Sequence, residues 1–279
     1  MGKSLFANSM YNVLYKMLNV LFPLISTVIV SRALLPEGVG KVSAAQNIVT
    51  YFTFAACLGL PNYGTREIAK NKEDTSKVFT ELFTLNFCST FLCAMAYYTM
   101  ISVVSRYFIE YKLYAVAGLA IVFNVFNVDW LYQGKEEYKY IAFRSLVVKI
   151  VMMIFIVLFV KDESDYITYA LIYCLALAGN YLFNILNLKR MNVKFVFSEL
   201  KIYRHLSSVM ILFLSTVAVE LYSLLDVTML AVMCSDEIVG YYSNSMKLIK
   251  VAISVITAIS GVLLPRLSRY LGNGDTVTA

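Results

Sequence analysis

Long apolar runs, each broken by a short polar stretch, dominate the chain. A bilayer span needs about 20 largely apolar residues. Eight windows meet that demand: Met10–Val30, Lys41–Leu60, Val78–Val104, Leu113–Tyr132, Phe143–Val160, Ile167–Leu188, Ser208–Val232 and Tyr241–Leu264. Within several of them the polar residues recur at steps of three and four, the spacing of one helical face. The first carries Asn8, Asn12, Lys16, Asn19, Pro23 and Thr27 on such a face. The eighth carries Ser243, Lys247, Lys250, Ser254, Thr257 and Gly261. The seventh has Thr216, Glu220 and Ser223, with Asp226 one turn on; the sixth has Asn180, Asn184 and Asn187; the fourth has Asn124 and Asn127. The pattern predicts an all-α polytopic membrane protein of about eight transmembrane helices.

Composition agrees with this reading. The chain of 279 residues is 59% hydrophobic and 15% charged, with a mean hydropathy of +0.69, whereas a soluble domain carries about 25% charged residues. The first apolar run has no small-residue cleavage site after it and reads as a retained helix. Cys57, Cys88, Cys93, Cys174 and Cys234 show no CxxC spacing and read as reduced, small core residues. With His205 as the only histidine, placed in a polar loop, there is little material for metal binding or histidine-based catalysis, and no cofactor is expected.

The net charge of +6 raises the question of nucleic acid, and the loops answer it. Numbered alternately from the N-terminus, one set of loops and termini holds fifteen Lys and Arg residues and the other five; Lys16, Lys149, Lys247 and Lys250 lie inside spans. Cytoplasmic loops carry the Lys/Arg excess. Both termini are therefore expected in the cytoplasm, and topology explains the basic charge without nucleic acid. Outer loops of no more than about a dozen residues leave no room for a catalytic domain, which argues against a membrane polymerase or glycosyltransferase and against an enzyme in general.

The sequence also repeats itself. Glu37, Val39, Gly40 and Ser43 match Glu237, Val239, Gly240 and Ser243 at a shift of 200, and Leu60-Pro61 matches Leu264-Pro265 at a shift of 204. Helices one and two then correspond to helices seven and eight, a parallel repeat of a six-helix unit. Residues 1–206 read as one complete six-helix lobe and 207–279 as the first hairpin of a second. Residue 279 matches position 75, ahead of a third helix, so the chain reads as truncated after the eighth helix of a design of about twelve.

Charge in lipid costs at least about 2.5–3.5 kcal/mol on insertion scales, so polar stripes should face protein or a water-filled cavity. Lys247 and Lys250 on one face suggest an electropositive cavity wall; the alternative is a packing face of small residues. Lys16 belongs to a cavity face with Asn12 and Asn19, or it snorkels to the headgroups. Asn47 stands on the second helix at the place matching Lys247. Asn180 and Asn184 serve interhelical hydrogen bonds or bind sugar hydroxyls. Glu220 exchanges protons or binds a cation, or forms a structural ion pair with Lys247 or Lys250; Asp226 sits nearer the outer surface. Arg66 reads as a topological charge and Trp130 as an interfacial anchor.

Three stretches carry a resemblance: Leu60-Pro61-Asn62-Tyr63-Gly64-Thr65-Arg66-Glu67-Ile68-Ala69 after the second helix, Asp129-Trp130-Leu131-Tyr132-Gln133-Gly134 ending the fourth, and Leu35-Pro36-Glu37-Gly38-Val39-Gly40 in the first outer turn. Over essentially its whole length the chain resembles the O-antigen (Wzx-type) polysaccharide flippases, of the superfamily that includes the multidrug and toxic-compound extruders. The resemblance implies a MATE-like fold of two six-helix lobes around a central cavity, working by alternating access in the bacterial inner membrane. It implies an undecaprenyl-diphosphate-linked oligosaccharide as cargo, bound by a cationic cavity for which Lys16, Lys247 and Lys250 fit, with Arg32 at the outer rim. It brings in membrane lipids, a coupling proton or sodium ion, and a polysaccharide polymerase and chain-length proteins as partners. Two alternatives stand beside it: a cation-coupled multidrug extruder, and an inactive truncated product of a disrupted flippase frame.

Overall fold

The structure, a computed structural model, describes residues 5–71, 73–104, 110–198 and 200–253. These residues are built from helices, with no strand among them. Six helical runs are long and apolar enough to cross a membrane: Leu21–Lys70, Thr75–Val104, Tyr111–Gly134, Tyr138–Phe159, Glu163–Asn187 and Tyr203–Met233. The first run holds the second expected span and the latter part of the first. The eighth begins in a helix at 236–253 and continues past the described residues.

The first helix, α1 (Leu5–Cys57), is broken at Leu35, whose φ of 55° and ψ of 172° are not helical. Pro36 follows, with its φ already fixed for the first position of a new helix. The contacts on either side show that the chain turns back here. Val30, Leu34 and Val39 all join Ile156 and Val160 in one apolar cluster. Further along, Val42 packs in a cluster with Ile101, and the Ser89 hydroxyl donates to the Ala56 carbonyl at 2.6 Å. Two spans are thus joined by a single non-helical residue.

After Gly59, in the left-handed region at φ 74°, comes the short α2 (Leu60–Lys70), then α3 (Thr75–Val104). The fourth span is not the continuous helix expected. It divides into α4 (Tyr111–Ala117), α5 (Leu119–Phe123), a 3-10 turn at Asn124–Phe126 and α6 (Asp129–Gly134). A break inside a membrane is tolerated only where protein satisfies the freed backbone groups. Asn86 of α3 does this, donating from Nδ2 to the Asn124 carbonyl at 2.9 Å and the Val125 carbonyl at 3.0 Å. The Asn124 side chain in turn accepts from Asn127 Nδ2 at 3.1 Å.

Two of the stretches that carried the resemblance, on α2 and α6, pack on each other. A Cβ at Gly64 would lie 2.8 Å from Trp130 Cδ2, and one at Gly134 would lie 2.7 Å from the Thr65 carbonyl oxygen. Trp130 is therefore no interfacial anchor: it is 2% exposed, packed against Gly64 and the tilted Phe79 ring, and its Nε1 donates to the Asn127 carbonyl. Arg66, on the other face of α2, is exposed.

Asp129 of α6 meets α7 (Tyr138–Phe159) and α8 (Tyr166–Asn187) in a buried network. Arg144 donates to Asp129 Oδ1 at 3.0 Å and to Asn184 Oδ1, and the Tyr132 hydroxyl donates to the Asn184 carbonyl at 2.6 Å. Removing one member of a buried ion pair leaves the other charge stranded, at a cost of about 3–5 kcal/mol. Arg144→Met is accordingly expected to lower the unfolding midpoint in detergent, read from the emission of Trp130. Adding Asp129→Asn should recover part of the loss.

His205 also departs from the expected polar loop. It lies in the first turn of α9 (Tyr203–Met233) and is 1% exposed. Its Nδ1 meets the Tyr63 hydroxyl at 2.8 Å and its Nε2 meets Glu81 at 2.9 Å; Glu81, fully buried, also accepts from Arg204 at 2.7 Å and from the Lys201 amide. The connection into α9 is thereby clasped to α2 and α3. Among the cysteines, Cys174 is buried while Cys88 and Cys234 are exposed.

The last helix among the described residues, α10 (236–253), is joined to α9 by the Tyr242–Asp226 hydrogen bond and crosses α1. The crossing pairs residues related by the 200-residue shift. A Cβ at Gly40 would overlap the Asp236 carbonyl and lie 3.0 Å from Gly240 N; one at Gly240 would overlap the Pro36 carbonyl and lie 3.2 Å from Gly40 N. Each glycine thus receives the residue four places before the other, as a local two-fold relation between the repeat copies requires.

Candidate transport cavity

Between the second half of α1, the middle of α8 and α9 lies a cavity of about 460 Å³. Its wall on α1 carries Gln46, Thr50 and Thr53. Tyr173 and Tyr181 come from α8, Thr216 and Glu220 from α9, and Asn62 from α2. The 3.6-residue period explains the choice: Thr50 and Thr53, Tyr173 and Leu177, and Thr216 and Glu220 each recur at three or four. The Gln46 Nε2 is buried with no hydrogen-bond partner among the described residues, a donor left over at the cavity wall.

One turn from the cavity, α1 and α9 are bridged by polar contacts. Asn47 Nδ2 donates to the Leu224 carbonyl at 3.1 Å and to Thr228 Oγ1 at 2.8 Å, while the Tyr51 and Thr228 hydroxyls lie 2.9 Å apart. The first half of α1 meets α10 through Asn244, which donates to Ser31 Oγ at 2.9 Å. At the Leu35 end, Lys41 pairs with Glu37 at 2.9 Å and Glu110 at 3.6 Å, and the Tyr166 hydroxyl donates to Glu110. Burial holds the nearby Asp236 carboxyl above the usual carboxylate range; Lys41 opposes this, and Glu37 and Glu110 add to it.

The polar residues picked out from the sequence fall in different places. Glu220 lines the cavity and has neither a hydrogen-bond nor an ion-pair partner among the described residues, so it does not pair with Lys247 or Lys250. Asp226 is exposed and accepts from the Tyr242 hydroxyl at 2.8 Å, joining α9 to α10. Lys247 is half-buried on α10; Lys250 and Arg32 are exposed. None of these three cations is among the cavity-lining residues. Asn47 is spent on α9, and Asn184 on Arg144 and Asp129. Asn180 donates to the Ala176 carbonyl at 3.1 Å, and its Oδ1 has no partner among the described residues. Asn19 accepts from Lys149 Nζ at 2.6 Å. The side chains of Asn12 and Lys16 lie outside the described residues, as do Asn8 and everything after residue 253, with Ser254, Thr257, Gly261 and Pro265.

Sequence reasoning passed over Glu81, and placed Lys149 inside a span without giving it a role. Both carried a visible signal, an ionisable residue within an apolar run, which by default marks a functional or paired position.

Comparison with known proteins places this architecture. The model of the family described as "Polysaccharide biosynthesis protein" matches residues 5–271. A protein of Escherichia coli (strain K12) named "Putative O-antigen transporter" is 26% identical over 276 residues, covering 96% of this chain and 66% of its own length. One of Shigella dysenteriae with the same name is 22% identical, covering 91% of this chain and 65% of its own length. The chain thus spans just under two thirds of the relatives it matches. No solved structure matches it. With apolar helices in number and a family match along nearly all its length, the chain is a multi-pass membrane protein belonging to the polysaccharide biosynthesis protein family.

Proposed function

We propose that the chain moves a lipid-linked oligosaccharide across the bacterial inner membrane. The observation that carries this reading is the wall of the cavity. Hydroxyls of Thr50, Thr53 and Thr216, amides of Gln46 and Asn62, and the rings of Tyr173 and Tyr181 are the groups that bind sugars. The relatives' names point the same way. In this reading both termini are cytoplasmic, as the fifteen-to-five division of basic residues favours. The Gly40–Gly240 crossing then closes the periplasmic side, and the cavity opens alternately as the first lobe, residues 1–206, rocks against the repeat hairpin beyond. The diphosphate of an undecaprenyl carrier takes its cations from Lys16, Lys247, Lys250 and Arg32. Glu220 couples the cycle to a proton or sodium ion, and a polysaccharide polymerase with its chain-length protein receives the product.

The test is surface polysaccharide in a strain whose own exporter is deleted and which expresses this chain. Polymer is expected to return, and to be lost again in the Lys247→Ala/Lys250→Ala double variant at equal expression. Absence of polymer with the parent chain, or undiminished polymer with the double variant, would count against the reading and the cation assignment respectively. One observation favours a second reading, a cation-coupled extruder of lipophilic cations: the described cavity wall has a carboxylate and aromatic rings but no Lys or Arg. That reading predicts Glu220-dependent efflux of ethidium.

A further inference from the structure

Lys149 is the residue that the cavity does not use. It stands eleven residues from Tyr138 and ten from Phe159, at the middle of α7, the most apolar of the six spans. At about 1.5 Å per residue that is roughly 15 Å from either end of the helix, too far for the amino group simply to snorkel to the headgroups. An amino group at that depth persists where it has polar company. Its company is slight. Nζ donates to Asn19 Oδ1 of α1 at 2.6 Å and lies 5.8 Å from the Phe22 ring centroid. Five residues earlier, Arg144 has a carboxylate in Asp129. Lys149 has none among the described residues, and a neutral amide occupies only one of its donors.

The Lys149–Asn19 contact is separate from the cavity. Neither α7 nor the first half of α1 contributes a residue to the cavity wall. The contact's rims on α7, Leu146 and Ile150, are apolar and exposed, and Asn19 itself is exposed. An anionic group arriving here comes from the bilayer, with its hydrocarbon chain left in lipid beside these rims.

We infer that Lys149, positioned by Asn19, binds the phosphate of a membrane lipid that reaches the exposed side of the α1–α7 contact, holding the headgroup halfway across the bilayer. This rests on the reading that a lipid headgroup crosses through the protein, since only a headgroup in transit reaches that depth. The phosphate belongs either to a polyprenyl carrier or to an ordinary anionic phospholipid.

Native mass spectrometry of the purified full chain, titrated with undecaprenyl phosphate, with phosphatidylglycerol and with neutral diacylglycerol, tests the site without any transport step. Lys149→Met is expected to weaken binding of the phosphate lipid by about tenfold or more, the size of a lost charge-assisted hydrogen bond. Lys149→Arg should keep most of it. Asn19→Asp, which gives Lys149 an internal carboxylate, should abolish it while leaving the unfolding midpoint intact. The exposed Lys161→Met serves as the control and should bind as the parent does. Preference for undecaprenyl phosphate identifies the carrier as the source; preference for phosphatidylglycerol identifies the bulk lipid. Equal binding of diacylglycerol, or parent-like binding by Lys149→Met and Asn19→Asp, overturns the site. Loss of export with phosphate binding intact would instead count against the transport reading alone.

Discussion

Valine in place of Gly40 will lower stability by about 3 kcal/mol, and so will valine in place of Gly240. Overpacking a filled contact usually costs about 1–3 kcal/mol, and here the obstacle is rigid. The new Cβ at either glycine would overlap a backbone carbonyl, Asp236 in one case and Pro36 in the other, so the helices themselves must part. Because both substitutions open the same crossing, the double variant is expected to cost clearly less than the sum of the two. Gly179 of α8 provides the contrast. A Cβ there would meet only Val148, at 3.8 Å, and Gly179→Ala is expected to be neutral or to stabilise by about 0.5–1 kcal/mol. Thermal unfolding in detergent, followed by Trp130 emission, measures all four. Parent-like midpoints for Gly40→Val and Gly240→Val would mean that α1 and α10 do not cross at these residues.

Glu220→Gln will lower transport by roughly tenfold or more while leaving the protein at least as stable. An unpaired carboxylate within a span is costly, and the half-buried Glu220 has no hydrogen-bond or ion-pair partner among the described residues to offset that cost. The amide has nearly the same shape and keeps the cavity volume, so packing does not change. It cannot carry the negative charge that exchanges a proton or attracts a cation. Loss of activity together with an unchanged or raised unfolding midpoint is the combination a functional carboxylate produces. A falling midpoint would indicate a structural residue instead. Glu220→Asp, which keeps the charge on a shorter stem, should retain part of the rate.

Much of the architecture was legible in the order of residues. The spans follow from apolar length, because lipid demands runs of a fixed size. The repeat was legible in four matched residues, and its meaning in space lies in one of them: Gly40 and Gly240 are the pair that touch. What stayed hidden depended on partners far away in the chain. The break in the fourth span lies in a run whose length and hydropathy fit one continuous helix. It is made tolerable by Asn86, 38 residues before Asn124, and no local pattern announces that. His205 looked like a loop residue because its neighbours are polar; its burial is set by Glu81, 124 positions earlier. Trp130 had the look of an interfacial anchor until Gly64 supplied the flat surface on which it packs.

The candidate site divides along the same line. Glu220 and Thr216 could be placed on one face by spacing alone, and both line the cavity. Asn47 and Asn184 lay on equally regular stripes, but their side chains are taken up by α9 and by Arg144. Periodicity identifies a face without identifying what covers it. Lys149 shows the converse, a residue without a repeating polar stripe on the middle of its own helix that meets the stripe of α1 at Asn19.

The central claim is that this chain carries a lipid-linked sugar through the membrane. Its most direct test is a reconstitution of the chain in proteoliposomes loaded with a fluorescent undecaprenyl-diphosphate oligosaccharide, in which the headgroup that reaches the outer leaflet is quenched by an impermeant reagent. The account predicts quenching faster than in protein-free liposomes, abolished by Glu220→Gln. A rate equal to that of protein-free liposomes, with the chain folded and inserted, would contradict it.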